Sequence, residues 1–264
     1  MIKTISFRAC ITIFIACLIA TILFGLLYHY DNKYNTNTEI SQDGTVLLPD
    51  IQEDSIQSED ISWLIQGWDF YPDQIIFPGD PIAKSKSIYI GQYFSFAEFH
   101  EDGSPYGSGT YCLRVRGNGN YTMLIPEVFS ACTVYIDGEQ ITSSGSISPY
   151  KPCIKDLVFS FQINGTAEIL IQTANYSHYY SGITYPPAIG SSEAVSRLIT
   201  IRILFYGFLV FTSLALALFA AVIWFGTKNG RASSENFWLG ILGLSFSLRL
   251  CYPFIHMLGI SDGN

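Results

Sequence analysis

Three long apolar runs constrain this chain more than any other feature of its sequence. Residues 9–28 carry no charge, residues 201–227 are apolar apart from Arg202, and residues 237–260 are apolar apart from Arg249 and His256. At a rise of about 1.5 Å per helical residue, each run is long enough to cross a hydrocarbon core of about 30 Å. We therefore predict three transmembrane helices, with membrane lipid as a partner.

The first run also fits a cleaved signal peptide, because Lys3 and Arg8 precede its apolar core. Its apolar stretch is longer than such a peptide needs, and it ends at Leu27, Tyr28 and His29 without the small residues of a cleavage site. We predict an uncleaved anchor.

Basic residues beside the spans predict the orientation, because lysine and arginine tend to remain in the cytoplasm. Lys3 and Arg8 place residues 1–8 inside, and Lys228 and Arg231 do the same for the loop 228–236. The chain is therefore predicted to be a multi-pass protein of the cell membrane with a cytoplasmic N-terminus. The long stretch between the first two spans is predicted to be extracellular.

The acidic balance argues against nucleic acid as a partner. The net charge is −8 and the pI is near 4.9, whereas nucleic-acid binding requires basic surfaces. Much of this charge lies in residues 29–61, where eight acidic residues occur between Asp31 and Asp60. We interpret this polar segment as a solvated extracytoplasmic tether.

Residues 62–192 alternate between apolar and polar residues and are divided by turn signals, a pattern typical of an all-β sandwich. Dipeptides that accept two positive φ angles predict three hairpins. These dipeptides are Asn118-Gly119, between strands 111–116 and 121–125; Asp137-Gly138, between 133–136 and 139–142; and Asn164-Gly165, between 157–163 and 166–172.

The cysteines predict neither a disulfide framework nor a metal site. Cys112, Cys132 and Cys153 lie outside the spans, so at most one pair can form, and the chain has no Cys-x-x-Cys spacing. We expect buried free thiols, no metal and no cofactor.

Aromatic residues are the candidate ligand contacts, because aromatic rings stack on sugars and tyrosine hydroxyls form hydrogen bonds. They are Trp68 and Tyr71 in the first strand-like segment, and Tyr176, His178, Tyr179, Tyr180 and Tyr185 in a later loop. The alternative, which we favour, is that the first two pack in the core and that the loop covers one end of the sandwich.

Catalysis would need a pair of carboxyl groups facing each other, as in glycoside hydrolases. The available carboxyl groups belong to Asp69, Asp73, Glu98, Asp102 and Glu127, and their spacing does not mark a pair. We therefore expect no catalytic domain in this chain.

Four motifs occur in order along the chain: GWDFYPDQIIFP at 67–78, GTYCLRV at 109–115, SACTVYIDG at 130–138 and NYSHYYSGI at 175–183. Together they resemble the outer domain of bacterial seven-transmembrane receptors with diverse intracellular signalling modules (7TMR-DISM). The resemblance implies a jelly-roll domain similar to carbohydrate-binding modules (galactose-binding-like). It also implies a seven-helix membrane region and an output module, usually a histidine kinase of a two-component system or a diguanylate cyclase.

The resemblance implies a sensor for signal transduction that binds a small molecule or carbohydrate. Such receptors continue beyond the position of Asn264, so we expect a fragment, a truncated product or one piece of a split receptor that lacks its cytoplasmic signalling module. A homodimer is a further expected partnership. Arg249 is the candidate residue for membrane coupling, because a charge in mid-span usually faces a partner; the alternative is an arginine that reaches the membrane surface.

Two other functions remain open. The chain could be a membrane-anchored carbohydrate-binding protein without signalling output, or a structural subunit for another membrane protein.

Overall fold

The computed structural model describes residues 7–30, 38–51, 61–80, 85–90, 95–129, 131–226 and 231–257. The predicted terminus 1–8, tether 29–61, loop 228–236 and third span 237–260 each lie partly outside these residues. The chain divides into two compact units, residues 1–35 and 36–264, which are described separately.

The described residues of the first unit form one helix, α1, Phe7–Tyr30. Helix α1 includes the whole run 9–28 and has few polar groups. Two of them are satisfied within the helix, because the hydroxyls of Thr12 and Thr21 donate to the carbonyls of Arg8 and Cys17, one turn earlier. Its helical state agrees with the predicted span, and its crossing of a membrane stays a prediction.

The described residues of the second unit form ten strands, a short 3₁₀ helix at Phe96–Glu98 and three α-helices. The strands are β1 (Glu39–Ile40), β2 (Val46–Leu47), β3 (Ser62–Trp63), β4 (Trp68–Pro72), β5 (Lys86–Ile88), β6 (Gly107–Ile125), β7 (Ala131–Ile136), β8 (Glu139–Ser144), β9 (Leu157–Asn175) and β10 (Ala188–Gly190). The helices are α2 (Ser192–Gly226), α3 (Arg231–Leu250) and α4 (Tyr252–Met257). We call the part from β1 to β10 the β domain.

Two long antiparallel strands, β6 and β9, organise the β domain. They pair continuously from Gly107 opposite Asn175 to Ile125 opposite Leu157. The first half of β6 also pairs with β4, and its second half pairs with β10, while β7 pairs with β9 and β8. The prediction of a mostly β domain is confirmed.

Two of the three predicted hairpins are wrong. Asn118-Gly119 and Asn164-Gly165 lie opposite each other in the middle of β6 and β9, so the segments around each dipeptide pair with the other strand and not with themselves. The dipeptides still provide positive φ angles, +127° at Gly119 and +92° at Gly165. Glycine can adopt the positive φ angle of a tight turn, but in this protein the same backbone freedom permits an irregular point inside two paired strands.

Side chains fix this irregular point. Asp50 accepts hydrogen bonds from the backbone N–H and the side-chain amide of Asn118. The Asn118 side-chain oxygen in turn accepts from the backbone N–H of Gly165 at 3.0 Å. Tyr121 donates its hydroxyl proton to the carbonyl of Pro49 at 2.7 Å. The segment that leads out of β2 is therefore attached to the centre of β6.

The third predicted hairpin is confirmed. Strands β7 and β8 pair across Asp137-Gly138, with positive φ at both residues, +48° and +91°, as a type I′ turn requires. The Asp137 carboxylate also accepts from the backbone N–H of Glu168 at 2.7 Å, which attaches the turn to β9.

One apolar core holds the β domain together. Alternate residues of β6 on both sides of its centre, including Tyr111, Leu113, Tyr121 and Met123, belong to it. Trp68 is fully buried in this core, and its indole N–H donates to the Leu64 carbonyl at 2.9 Å. The three cysteines of the β domain, Cys112, Cys132 and Cys153, are free thiols.

Two helical segments of the second unit are long and apolar enough to cross a membrane, Ser192–Gly226 and Ser234–Ile255. Helix α2 begins two residues after β10, so the connection between the β domain and the second predicted span is helical from Ser192 onwards. The third predicted span is interrupted between α3 and α4, just before Pro253, because proline has no backbone N–H to continue the helical bonds.

Small residues bring α2 and α3 together. A Cβ atom placed on Gly243 would lie 3.0 Å from the carbonyl oxygen of Ser213 and 3.2 Å from the Cβ of Ala217. The Ser247 hydroxyl lies 3.4 Å from the carbonyl oxygen of Val210. Close approach through glycine, alanine and serine is typical of helices that pack within a membrane.

Candidate functional site

A groove on one face of the β domain is a concave site formed by described residues. Its volume is about 640 Å³, within the usual range for small-molecule sites of about 300–1,000 Å³. Five parts of the chain contribute to it: the turn between β1 and β2, the residues before β4, strand β4, strand β5, and the first half of β6. The groove is lined by Ile40, Asp43, Gly44, Gln66, Gly67, Asp69, Tyr71, Ser85, Ser87, Ile88, Tyr89, Cys112 and Arg114.

Strand alternation positions the floor of the groove. Trp68 and Phe70 point into the core, so the intervening Asp69 points outward. On β6, Tyr111 and Leu113 are in the core, and Arg114 is outward. Asp69 lies opposite Cys112 in the antiparallel register of β4 and β6, which gathers these outward side chains on one face.

The turn between β1 and β2 forms one wall. The Ser41 hydroxyl hydrogen-bonds to the Asp43 carboxylate, and the backbone N–H of Thr45 donates to the same carboxylate at 3.3 Å. These hydrogen bonds lower the pKa of Asp43, the one to Ser41 most, so its carboxylate is charged at neutral pH. Arg116 lies 3.6 Å from Asp43 and connects the wall to β6.

The groove contains charges of both signs. Asp69 accepts a hydrogen bond from the Ser85 hydroxyl at 3.1 Å. The Arg114 guanidinium lies 4.0 Å from the Glu168 carboxylate, and its side chain is 60% exposed. Because 4.0 Å is longer than a hydrogen bond, solvent or a ligand can reach the guanidinium donors.

Two groups in the groove are neutral at physiological pH. Burial raises the pKa of the Cys112 thiol to about 12, so the thiolate needed for nucleophilic chemistry is not formed. Burial also raises the pKa of Tyr71, which keeps its hydroxyl protonated. These residues suit hydrogen bonding and packing against a bound molecule.

The later aromatic residues form a separate loop, which we call the aromatic loop, Asn175–Tyr180. The buried Asn175 side chain folds it: its amide donates to the carbonyls of Pro105, His178 and Tyr180, and its oxygen accepts from the backbone N–H of His178. The His178 ring stacks on Phe129, with ring centroids 4.7 Å apart.

The residues after the aromatic loop close the end of the core. Ser181 and Ile183 are fully buried, and the Ser181 hydroxyl accepts from the backbone N–H of Phe96 at 2.8 Å. Both interpretations of the segment thus have a place in the structure: its second part covers the core, and its first part presents aromatic rings outward.

The predicted ligand residues do not form one site. Trp68 is in the core and Tyr71 is in the groove, while Tyr176 and Tyr179 are exposed in the aromatic loop. Tyr180 lies 5.5 Å from Phe129, centroid to centroid. The remaining two positions are His178, on Phe129, and Tyr185, which is half-buried beyond the loop.

Arg249 lies in the last turn of α3 and is exposed. Its guanidinium carbon is 5.1 Å from the centre of the Tyr252 ring in α4, a cation–π distance. An aromatic contact within this chain, across the break between α3 and α4, is therefore present.

Sequence reasoning missed most of the groove, including Asp43, Gln66, Tyr89 and Arg114. The alternation in β4 and β6 could have marked Asp69 and Arg114 as outward residues, but their proximity depends on strand pairing. Among the described residues, no group of three or more His, Cys, Asp or Glu side chains could hold a metal ion.

Comparisons with known proteins give only distant fold similarity. No protein-family model matches the chain, and no curated protein matches it. A GH2 β-galacturonidase from Eisenbergiella tayi bound to glycerol has a TM-score of 0.37 at 15% identity over 50% of this chain and 24% of that chain. A β-glucuronidase from Bacteroides uniformis has a TM-score of 0.38 at 13% identity over 50% and 18%.

A β-glucuronidase from Ruminococcus gnavus in complex with uronic deoxynojirimycin has a TM-score of 0.37 at 16% identity over 55% of this chain and 30% of that chain. This chain thus spans less than a third of each of these structures. The similarity is to their fold alone.

Proposed function

We propose that this chain is the extracellular sensor and membrane part of a bacterial signal-transduction receptor. In this proposal the β domain is a jelly-roll of the galactose-binding-like type, α1, α2 and α3 cross the cell membrane, and the output module is a histidine kinase or diguanylate cyclase. The observation that carries the proposal is the continuity of α2, which begins in the β domain and runs unbroken for 35 residues.

The start of α2 is built into the β domain. Ser191, the last residue before the helix, is buried, and its hydroxyl accepts from the backbone N–H of Ala194 at 3.2 Å, which is the geometry of an N-cap. Val195 and Leu198 are buried in a cluster with Leu124 of β6. Each such side chain contributes about 1.5–3 kcal/mol through burial, so the first two turns resist separation from the sheet.

The far part of α2 has the opposite character. No charged residue follows Arg202 as far as Gly226, and large side chains such as Phe208, Phe211 and Phe219 are exposed. Exposed phenylalanine in a charge-free helix is favourable in lipid and unfavourable in water. A movement of the β domain would therefore be transmitted into the bilayer by the continuous helix α2.

The groove is the proposed sensing site. Asp43 and Asp69 provide acceptors, Arg114 provides donors, and Tyr71 and Tyr89 provide ring surface. This combination matches a polyhydroxylated small molecule such as a sugar, whose hydroxyls donate and accept and whose C–H faces pack on aromatic rings. A ligand produces a signal only if it binds one arrangement of the receptor more tightly than another.

The test uses the full chain in lipid nanodiscs and a panel of mono- and disaccharides. Binding is measured by calorimetry, and hydrogen exchange is measured in α2 and α3 with and without the sugar that binds. We expect binding by the native chain, at least a tenfold loss with Arg114→Ala, consistent with about 1.5–3 kcal/mol for a charged hydrogen bond, and a change of exchange in the helices.

A matched control is Arg8→Ala, because Arg8 lies in α1 outside the groove; it should bind as the native chain does. Binding without any change in the helices would contradict sensing and support a membrane-anchored carbohydrate-binding protein. Absence of binding across the panel would contradict the assignment of sugars as the ligand class.

A further inference from the structure

We propose that the β domain rests directly on the outer surface of the phospholipid bilayer, with Trp63 and Arg202 in the headgroup layer. The inference depends on the proposed crossing of the membrane by α2. It concerns a surface that the ligand groove and the helix packing do not use.

The charges of α2 locate the membrane along the helix. The 24 residues from Ile203 to Gly226 carry no charge, and they span about 36 Å at 1.5 Å per residue. The hydrocarbon core is about 30 Å thick, so only about one helical turn of this segment extends beyond it. Arg202 therefore lies at the outer boundary, where its guanidinium can contact phosphates.

An aromatic group marks the other boundary. Trp224 lies 22 positions after Arg202, about 33 Å along the axis. Its ring is 5.2 Å from that of Phe237 near the start of α3, and Trp238 follows. Tryptophan is enriched at the two membrane surfaces, and this spacing matches one surface at Trp224 and the other at Arg202.

The β domain extends down to the level of Arg202. The guanidinium carbon of Arg202 lies 6.0 Å from the centre of the Trp63 ring, and Trp63 belongs to strand β3, which pairs with β10. Trp63 also packs, half-buried, against the cluster of Val195 and Leu198. Because Arg202 is at the headgroups, the indole beside it is also at the headgroups.

The chemistry of this surface suits a lipid headgroup layer. Ile61 and Ile199 are partly buried against the same cluster as Trp63, so this edge of the domain combines apolar side chains with an indole and a guanidinium. Trp63 adds a second attachment of the domain to the membrane besides α2. The domain is therefore held close to the bilayer and does not swing freely on its helix.

The test is quenching of tryptophan fluorescence by brominated phosphatidylcholine in nanodiscs. In the Trp224→Phe/Trp238→Phe chain, the remaining emission comes from Trp63 and from Trp68, which is fully buried in the core. We expect loss of emission with lipid brominated near the glycerol backbone and a smaller loss with lipid brominated near the chain ends. Adding Trp63→Phe is the matched control and should abolish the loss.

The outcomes separate the two proposals. In the native chain, quenching of Trp224 and Trp238 reports whether the helices are in lipid. If they are quenched and Trp63 is not, the headgroup contact is overturned and the crossing of α2 stands. If none is quenched, the crossing itself fails and the contact fails with it. If the double variant does not fold, the native chain is compared with Trp63→Phe instead. The difference in their quenching by lipid brominated near the glycerol backbone measures the same contact.

Discussion

Tyr111 joins the core of the β domain to the segment that closes its end. Its ring is fully buried, and its hydroxyl accepts from the backbone N–H of Ile183 at 3.2 Å. Burial raises its pKa above the ordinary value, so the hydroxyl is neutral at all physiological pH values. The next residue towards the loop, Gly182, has φ +69° and leaves no space for a Cβ beside this hydroxyl.

Tyr111→Phe is predicted to destabilise the β domain by about 1–3 kcal/mol, because it leaves a buried backbone N–H without its acceptor. Tyr106→Phe is the control, since Tyr106 is 51% exposed and should change stability little. Denaturant unfolding of the two variants checks this. Equal stabilities for the two would contradict the role of the hydroxyl.

We predict that the stability of the β domain depends on pH through His100. Its Nδ1 contacts the Ser104 carbonyl at 2.8 Å and its Nε2 contacts the Asp73 carboxylate at 3.1 Å. The Ser104 hydrogen bond raises the pKa of His100 most, and Asp73 raises it further. The protonated ring therefore stabilises the folded state below the unfolded pKa of about 6.5, and this contribution is lost as pH rises through the folded pKa.

The measurement is the melting temperature of the native chain and of His100→Gln across this range. We expect the melting temperature of the native chain to exceed that of the variant most at about pH 5.5 and less at about pH 8.5. A constant difference between the two proteins would mean that protonation of His100 does not contribute.

At the scale of elements, the packing of α2 on α3 depends on small residues at the contact. Gly243→Ala would place a Cβ 3.2 Å from Ala217 and 3.0 Å from the Ser213 carbonyl oxygen, so the facing atoms of α2 must give by a few tenths of an ångström. Gly207→Ala is the matched control in α2, because the nearest neighbour of its Cβ would be Phe254 at 4.0 Å.

We expect Gly243→Ala to destabilise the helix pair by about 1–2 kcal/mol through overpacking and to lengthen the distance between the helices. Gly207→Ala should do neither. Spin-label distances in nanodiscs and unfolding in detergent check both. Equal behaviour of the two glycine variants would contradict the close contact.

The sequence predicted the types of element better than their pairing. Alternation marked the strands, and Asp137-Gly138 marked a true hairpin. Asn118-Gly119 misled because a positive φ is compatible with both a hairpin turn and an irregular point inside a long strand, and the choice depends on contacts with Asp50 and Gly165, distant in sequence. The groove needs several parts of the chain brought together by such long-range pairing, so the sequence could mark Arg114 as outward but not as part of a site.

At the scale of the whole molecule, the proposed sensing depends on the connection between the β domain and helix α2. The sheet reaches α2 through β10 and through the contact of Leu124 with Val195 and Leu198. Everything proposed about sensing requires that α2 responds when this contact changes.

Leu124→Ala should remove part of the contact and cost about 2–5 kcal/mol, as is usual for a buried leucine. Leu113→Ala is the matched control, because Leu113 is equally buried but lies in the main core. The comparison requires conditions under which both variants remain folded by circular dichroism.

The most direct measurement is hydrogen exchange along α2 in nanodiscs for the native chain and these two variants. The account predicts slow exchange in residues 192–200 of the native chain, faster exchange there in Leu124→Ala, and native-like exchange there in Leu113→Ala. Fast exchange in this segment of the native chain, or the same exchange in all three proteins, would contradict a rigid connection between the β domain and the membrane.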